Sequence, residues 1–140
     1  MEPITLRYHV DAEDFSHAGE ASSAVKNTLK TLGFSPEVVR RVAIAMYEGE
    51  INMVIHARGG EITVLVTPAE IIVEMADVGP GIPDIDLAMR EGYSTANESV
   101  RNLGFGAGMG LPNMKKYTDS IDVKTVLGVG TTVTMTIKVA

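Results

Sequence analysis

The sequence SPEVVRRVAIAMYEGEINMVIHA, residues 35–57, predicts a long helix around which the rest of the chain is arranged. Ser35 can cap the helix, Pro36 suits its first position, and Glu37 places an acid near the positive end of the helix. The apolar residues that follow are too many for a narrow stripe. The helix is therefore predicted to be buried over most of its circumference.

The same helix carries polar groups on one face. Side chains four residues apart share a face, so Glu48, Asn52 and His56 project together, whereas Glu50 lies about 200° round from Glu48. An ionised Glu accepts a proton or orients a hydroxyl, and an Asn oxygen suits Mg²⁺. Because an unpaired buried polar group costs about 1–3 kcal/mol, we expect Glu48 and Asn52 to meet neighbouring backbone or a polar ligand.

The composition predicts one globular domain spanning residues 1–140, with 45% apolar and 21% charged residues. A net charge of −6 with 12 Lys and Arg argues against a nucleic-acid partner. We expect neither a membrane span nor a signal peptide, because no apolar run of about 18 residues occurs. The chain has no cysteine, which excludes disulfides and thiolate metal sites and fits a cytoplasmic location.

Periodicity predicts a strand over residues 2–10, then a helix that begins at a capping residue between Asp11 and Ser16. The long helix is expected to end in a C-cap at Gly59 and Gly60. Two hairpins follow from β-branched runs at 61–67 and 70–76, and at 120–126 and 131–139. Between them, a short helix after Asp84, a polar segment and a helix over residues 111–117 are predicted. The fold class is thus a two-layer α/β sandwich, with a mixed, mostly antiparallel sheet covered on one face by three helices.

The segment Asp77-Val78-Gly79-Pro80-Gly81 ends a predicted strand abruptly. A carboxylate at a strand end can accept a hydrogen bond from the amino group of adenine, and Gly79 and Gly81 would let the backbone approach a flat base. The alternative is an acid that heads a type II turn.

Two further segments fit a nucleotide site. Glycines recur from Gly104 to Gly110 just before a predicted helix, an arrangement that can bind a triphosphate through backbone amides. The alternative is a flexible linker, which would have the same sequence pattern. Thr131 begins the last strand, where its hydroxyl could bond a ring nitrogen or a water held by Asp77, or could simply favour the strand.

The chain resembles the GHKL ATP-binding superfamily, whose domain has the Bergerat fold. The resemblance depends on four motifs in this order and spacing: the E-x-x-x-N helix, D-x-G-x-G, the G-x-G before a helix and the final G-T. That superfamily includes gyrase, histidine kinases and MutL. The resemblance covers nearly the whole chain. Within the superfamily, Ile55-His56 and the segments 92–95 and 108–112 are most similar to stand-alone anti-sigma factors and stress-switch serine kinases.

The resemblance implies ATP and Mg²⁺ as ligands and a lid at about residues 91–109. Glu48 would be the general base, Asn52 the Mg²⁺ ligand and Asp77 the group that reads adenine. The other nucleotide-binding residues implied are Gly79, Gly81, Gly108, Met109, Gly110, Leu111 and Thr131. Among these, Gly108 and Gly110 would hold phosphates and Thr131 would support the base.

The chain departs from the family pattern at two places. Val78 stands where these families usually carry Asn, which removes one polar contact near the nucleotide. The segment 97–107 is longer than in the shortest family lids, so phosphate contacts there, such as one by Arg101, do not follow from the resemblance.

The resemblance implies a serine/threonine protein kinase that phosphorylates a small regulatory protein of the anti-sigma-antagonist kind. It leaves open a sigma factor as a further partner, and a homodimer. The alternative is a module that senses ATP or ADP and controls a partner without phosphotransfer. A histidine-kinase catalytic domain is the weaker third interpretation, because no dimerisation helix with a phosphoacceptor His precedes the domain.

Overall fold

The computed structural model describes residues 1–12, 14, 16–82, 85, 89 and 110–139. Within them, five strands form one sheet and three helices are present, numbered here in chain order. The elements are β1 (Ile4–Asp11), α1 (Glu20–Thr31), α2 (Pro36–His56), β2 (Gly59–Val66), β3 (Glu70–Asp77), α3 (Gly110–Lys116), β4 (Ser120–Val126) and β5 (Gly130–Lys138).

The sheet has the strand order β1-β2-β3-β5-β4. Every pair of neighbouring strands in the described residues is antiparallel, so the expected two-layer α/β fold is confirmed and the expectation of a mixed sheet is not met there. β3 and β5 are adjacent although α3 and β4 lie between them in sequence. This crossover brings the end of β3 beside the start of β5, where Ala76 pairs with Thr132.

The core lies between the sheet and the helices. In β5, Val133, Met135 and Ile137 are buried, as their alternation with threonines predicted. α2 contacts four of the strands and both other helices, and ten of its residues are buried. The prediction that this helix is the central element of the fold is confirmed.

The start of α2 follows the local sequence closely. Ser35 is the N-cap, and its hydroxyl oxygen accepts a hydrogen bond from the Val38 amide at 3.3 Å. Pro36 occupies the first helical position, where its missing amide hydrogen leaves no intrahelical bond unmade.

Two predicted helix ends are wrong. α1 begins at Glu20, beyond the capping residues expected between Asp11 and Ser16, and its N-cap Gly19 makes no side-chain capping bond. Gly59 and Gly60 belong to β2, and the C-cap of α2 is Ala57. A Cβ on Gly59 would collide with the Val10 carbonyl, so these glycines let neighbouring strands approach rather than end a helix.

The predicted lid at 91–109 and the short helix expected after Asp84 lie outside the described residues, apart from Ile85 and Met89. Among the helices that the structure describes, none is long and apolar enough to cross a membrane.

Candidate nucleotide site

Glu48 and Asn52 lie one turn apart on α2 and are both only partly buried. Burial raises the pKa of the Glu48 carboxyl above its usual 4.5, and a hydrogen bond from Asn113 partly opposes this. The Asn113 amide nitrogen lies 3.2 Å from Glu48 Oε1. The polar partner expected for Glu48 is therefore a side chain on α3, from a residue that the sequence did not single out.

Asn52 lies against the first residue of α3. A Cβ built on Gly110 would lie 2.6 Å from Asn52 Nδ2 and 2.8 Å from Oδ1, so a side chain there would push the amide away. Within the described part of the chain, the Asn52 amide has no hydrogen-bond partner. Its oxygen is thus available to a ligand at the position where α2 and α3 meet.

Asp77 ends β3, as predicted, and the start of β5 holds its carboxylate. The Thr131 amide donates to Asp77 Oδ1 at 2.9 Å. Burial raises the pKa of the Asp77 carboxyl above its usual 3.8, and the Thr131 amide partly opposes this. Oδ2 accepts no hydrogen bond from the residues that the structure describes, so one oxygen is fixed and the other is free for a ligand.

The Thr131 hydroxyl contacts another side chain of the sheet, and the role considered for it from sequence stays a prediction. The side chain is buried, and its oxygen lies 3.0 Å from the Thr125 hydroxyl. Thr125 Oγ1 also accepts a hydrogen bond from the Ile82 amide at 2.8 Å. Thr125 thereby ties the segment after Asp77 to the sheet, and sequence gave no signal for it beyond its place in a strand.

The two glycines after Asp77 have different surroundings. A Cβ on Gly79 would lie 3.1 Å from both Cα and Cβ of Ala57, at the end of α2, and 3.6 Å from Asp77 Oδ1. Gly81 has a φ of 79°, and a Cβ there would lie 2.9 Å from the Val126 carbonyl oxygen. Gly79 thus keeps the turn close to Asp77 and α2, while Gly81 fits it against the β4–β5 hairpin.

Val78, where the family usually carries Asn, points its side chain to solvent and is 52% exposed. Its backbone makes the local bonds, donating to the Gly59 carbonyl at 3.0 Å and accepting from the Arg58 amide at 2.6 Å. The turn therefore keeps its backbone contacts without a polar side chain at this position.

The C-terminal half of α2 links the two parts of the site. Gly79 packs on Ala57, and Glu48 lies nine residues earlier on the same helix, which corresponds to about 14 Å along its axis. Asn52 lies between them. This order places the Asp77 carboxylate near one end of the row and the Glu-Asn pair at the other.

The remaining predicted contacts lie at the start of α3. The Leu111 side chain is buried in the core, so its backbone is the part left to face a ligand. Gly108 and Met109 lie outside the described residues, so their predicted contacts stay predictions. His56 is partly buried, and burial lowers the pKa of its ring.

Glu50 lies on the other side of α2 and is 2% exposed. Its carboxylate accepts hydrogen bonds from the amides of Gly19 at 2.9 Å, Ala21 at 3.2 Å and Ser22 at 3.0 Å. It therefore caps α1 from 28 to 31 residues away in sequence. A cavity of about 480 Å³ adjoins it, lined also by Tyr8, His9, Asp14, His17 and seven others, and the lining includes none of the predicted nucleotide-site residues.

A metal would have to be shared with a ligand. Among the described residues, no group of three or more His, Cys, Asp or Glu side chains could hold an ion by itself. The unbonded Asn52 oxygen is a hard donor of the kind that Mg²⁺ takes together with phosphate oxygens and water. The residues therefore fit a Mg²⁺ that arrives with a nucleotide.

Residues 38–140 match the family described as histidine kinase-, DNA gyrase B-, and HSP90-like ATPase. The chain is 34% identical over 112 residues to the serine/threonine-protein kinase RsbT of Bacillus subtilis, covering 76% of this chain and 77% of that protein. It is 32% identical over 105 residues to an anti-sigma F factor of Caldanaerobacter subterraneus, covering 71% and 70%. The solved RsbU and RsbW domains of a Mycobacterium tuberculosis protein share the fold, with a TM-score of 0.59, 15% identity, and coverage of 98% of this chain and 32% of that one.

Proposed function

Because the chain belongs to the histidine kinase-, DNA gyrase B-, and HSP90-like ATPase family, we propose that it binds ATP with Mg²⁺ and phosphorylates a small regulatory protein on Ser or Thr. A relative that is 34% identical is named a serine/threonine-protein kinase, and a second, 32% identical, is named an anti-sigma F factor. Residues 1–140 would act as one domain, with residues 91–109 as its lid.

Asp77 would bind the adenine end of the nucleotide. Oδ2, which has no partner among the described residues, accepts a hydrogen bond from the exocyclic amino group of adenine. The Thr131 amide keeps Oδ1 in place. Gly79 keeps the turn close to Asp77 and α2, Gly81 fits it against the β4–β5 hairpin, and Thr131 supports the base indirectly through Asp77.

Asn52 would contribute its oxygen to Mg²⁺, and backbone from Gly108 through Leu111 would contact the phosphates. When bound, the ion neutralises charge on the phosphate oxygens. Gly110 suits this position because the backbone can approach Asn52 without a Cβ in the way. The chain's net charge of −6 makes such local donors necessary for a polyanion.

Glu48 would act on the acceptor hydroxyl. A bond forms between the hydroxyl oxygen and the γ-phosphorus, the bond from that phosphorus to the bridging oxygen breaks, and ADP leaves with the electron pair. Glu48 Oε2, which has no hydrogen-bond partner in the described residues, receives the hydroxyl proton. The raised pKa of this carboxyl makes it a better base than an exposed Glu.

One observation carries the proposal. Among the described residues, Asp77 and Glu48 each have one oxygen held by a donor and one oxygen without a partner. Asn52, whose amide also has no partner there, lies on α2 between Glu48 and the point where Gly79 contacts Ala57. Glu50, the buried acid that caps α1, is instead bonded on both oxygens.

Calorimetric titration with ATP tests the binding step. We expect binding that requires Mg²⁺ and is lost in Asp77→Asn, because an amide cannot reproduce the carboxylate as acceptor while facing the Thr131 amide. Asp122→Asn, an exposed acid on β4, is the matched control and should bind as the wild type does. Absence of ATP binding by the wild-type chain would remove the whole site assignment.

Labelled ATP and candidate substrate proteins test the transfer step. Glu48→Gln should lower phosphotransfer by about a hundredfold or more while ATP still binds, since a positioned base contributes about 10²–10⁴. Glu74→Gln, an exposed acid on β3, should transfer normally. Transfer at the wild-type rate by Glu48→Gln would exclude Glu48 as the base.

The alternative proposal is a nucleotide-sensing module that controls a partner without transfer. The anti-sigma F factors among the relatives favour it, because their name describes opposition to a sigma factor rather than a reaction. This alternative is supported if ATP and ADP change the affinity of the chain for a partner protein in a pull-down while no partner becomes phosphorylated. The same experiment would reveal whether a sigma factor or a second copy of the chain binds.

A further inference from the structure

The proposed base is held by a residue outside the family motifs used above. We propose that Asn113 of α3 is a positioning residue that fixes the orientation and ionisation state of Glu48. This inference rests on the proposed role of Glu48. It follows from a single contact between two helices, the hydrogen bond from Asn113 Nδ2 to Glu48 Oε1 at 3.2 Å.

The seam between α2 and α3 fixes where this donor lies. Gly110 contacts Asn52, Asn113 bonds Glu48, and Arg41 donates to the Tyr117 carbonyl oxygen at 3.2 Å. Residue numbers rise along α3 and its end while they fall along α2, so the helices run antiparallel. The contacts on either side of the Glu48–Asn113 pair hold the register and keep the Asn113 amide opposite Glu48.

Packing within α3 also restricts Asn113. Leu111 and Met114 of the same helix are buried, which anchors α3 to the core on the side away from solvent. Asn113 itself is partly buried, and its amide spans the seam rather than extending into water. The donor is thus preorganised before any ligand binds, which is what an effective base requires of its support.

The chemistry of the donor matters as much as its position. Burial disfavours the charged form of Glu48 and raises the pKa of its carboxyl, while the amide hydrogen bond favours the charged form and lowers that pKa. A neutral amide stabilises the carboxylate without the charge of a Lys or Arg, which would reduce its basicity strongly. Asn113 therefore favours the ionised form of Glu48, and within the described residues it leaves Oε2 without a hydrogen-bond partner.

Two variants of the same size test the role. Asn113→Leu removes the donor, and Asn113→Asp replaces it with a like charge. Carbon-13 NMR titration of the Glu48 side-chain carboxyl should give a higher midpoint pH in both variants, and the larger rise in Asn113→Asp. Lys115→Gln, an exposed change on the same helix, is the control and should leave the midpoint unchanged.

Kinetics give an independent readout. The acid limb of the phosphotransfer profile should move to higher pH in both variants, with a rate on that limb about fivefold lower in Asn113→Leu, the ratio expected for one neutral hydrogen bond. KM for ATP should stay the same, because Asn113 touches the base and not the predicted adenine contacts. A purely structural role would change stability without moving the profile.

The NMR midpoint decides the inference even without activity. If the wild type transfers no phosphate to any partner, the proposed function fails. The titration still reports whether Asn113 affects the midpoint pH of the Glu48 carboxyl. An unchanged midpoint in both Asn113→Leu and Asn113→Asp, with folded amide spectra, would overturn the inference whatever the kinetics show.

Discussion

Two acids on α2, Glu48 and Glu50, differ in sequence position by two residues and lie on opposite sides of the helix. Glu50 is 2% exposed and accepts hydrogen bonds from three backbone amides of residues 19–22. Glu48 is only partly buried and accepts one, from a neutral side chain. The more buried acid is the more completely bonded one.

This difference separates a structural carboxylate from one available for chemistry. Each amide bonded to Glu50 belongs to the first turn of α1, where helical amides have no intrahelical partner. Glu50 therefore caps α1, and both of its oxygens accept hydrogen bonds. Among the described residues, Glu48 keeps one oxygen without a hydrogen-bond partner, near the seam where Asn52 and α3 meet. Burial by itself would therefore not distinguish the acid that caps a helix from the acid proposed as the base.

The largest effect that we expect comes from Glu50→Gln. Its side-chain nitrogen would face amide donors, so at least one amide of α1 would lose its acceptor in a buried place. We expect a loss of about 3 kcal/mol in the free energy of unfolding, measured by urea denaturation. ATP binding per folded molecule should be unchanged.

Glu48→Gln is the matched control for that experiment. It should change the free energy of unfolding by less than about 1 kcal/mol, since it affects a single side-chain hydrogen bond. Equal destabilisation by the two substitutions would contradict the claim that Glu50 stabilises the fold much more than Glu48 does.

Gly49, between the two acids, tests how tightly α2 packs on β3 and α3 at this point. A Cβ there would collide with Met75 Sδ and lie 2.9 Å from Met75 Cε and 3.3 Å from Met114 Sδ. Gly49→Ala should cost about 1–2 kcal/mol, because overpacking outweighs the gain in helix propensity. Thermal unfolding measures this, and Met75→Val should restore most of the loss when combined with it. A stabilised Gly49→Ala would contradict the packing argument.

A smaller effect concerns pH. Because burial raises the pKa of Glu48 in the folded protein, the folded state binds more protons than the unfolded state between the usual 4.5 and the raised value. Wild-type stability contributed by Glu48 therefore falls as pH rises through that window. Glu48→Gln, which does not titrate, should gain stability relative to the wild type as pH rises from the usual 4.5 through the raised value in denaturation series. A difference between the two proteins that is constant across pH would contradict the raised pKa.

The smallest effect should come from a partly exposed ion pair that Arg41 makes on the same face of α2. Arg41 Nη2 lies 3.1 Å from Asp119 Oδ2, and neither side chain is fully buried. Arg41→Gln removes this ion pair and also the hydrogen bond from Nε to the Tyr117 carbonyl oxygen. It should cost about 1 kcal/mol in the free energy of unfolding, and added salt should reduce the part of the loss that comes from the ion pair. A loss as large as that of Glu50→Gln would show that exposure does not distinguish these charged groups.

Much of the fold and part of the site followed from local sequence. The start of α2, the hairpin between β2 and β3, and the alternation along β5 were predicted because capping and periodicity act over a few residues. The start of α1 was predicted wrongly, because its cap is not a neighbouring Asp or Ser but Glu50, a residue that local rules cannot associate with it.

The sequence by itself determined which groups share a helix face and which acid ends a strand, since helix and strand geometry repeat every few residues. It placed Glu48 with Asn52 and put Asp77 at the end of β3. Tertiary structure alone decided what meets them. Asn113 bonds Glu48 across 65 residues, and the Thr131 amide bonds Asp77 across 54. Such partners are brought together by the antiparallel seam of α2 and α3 and by the crossover that sets β5 beside β3, and no local spacing encodes either.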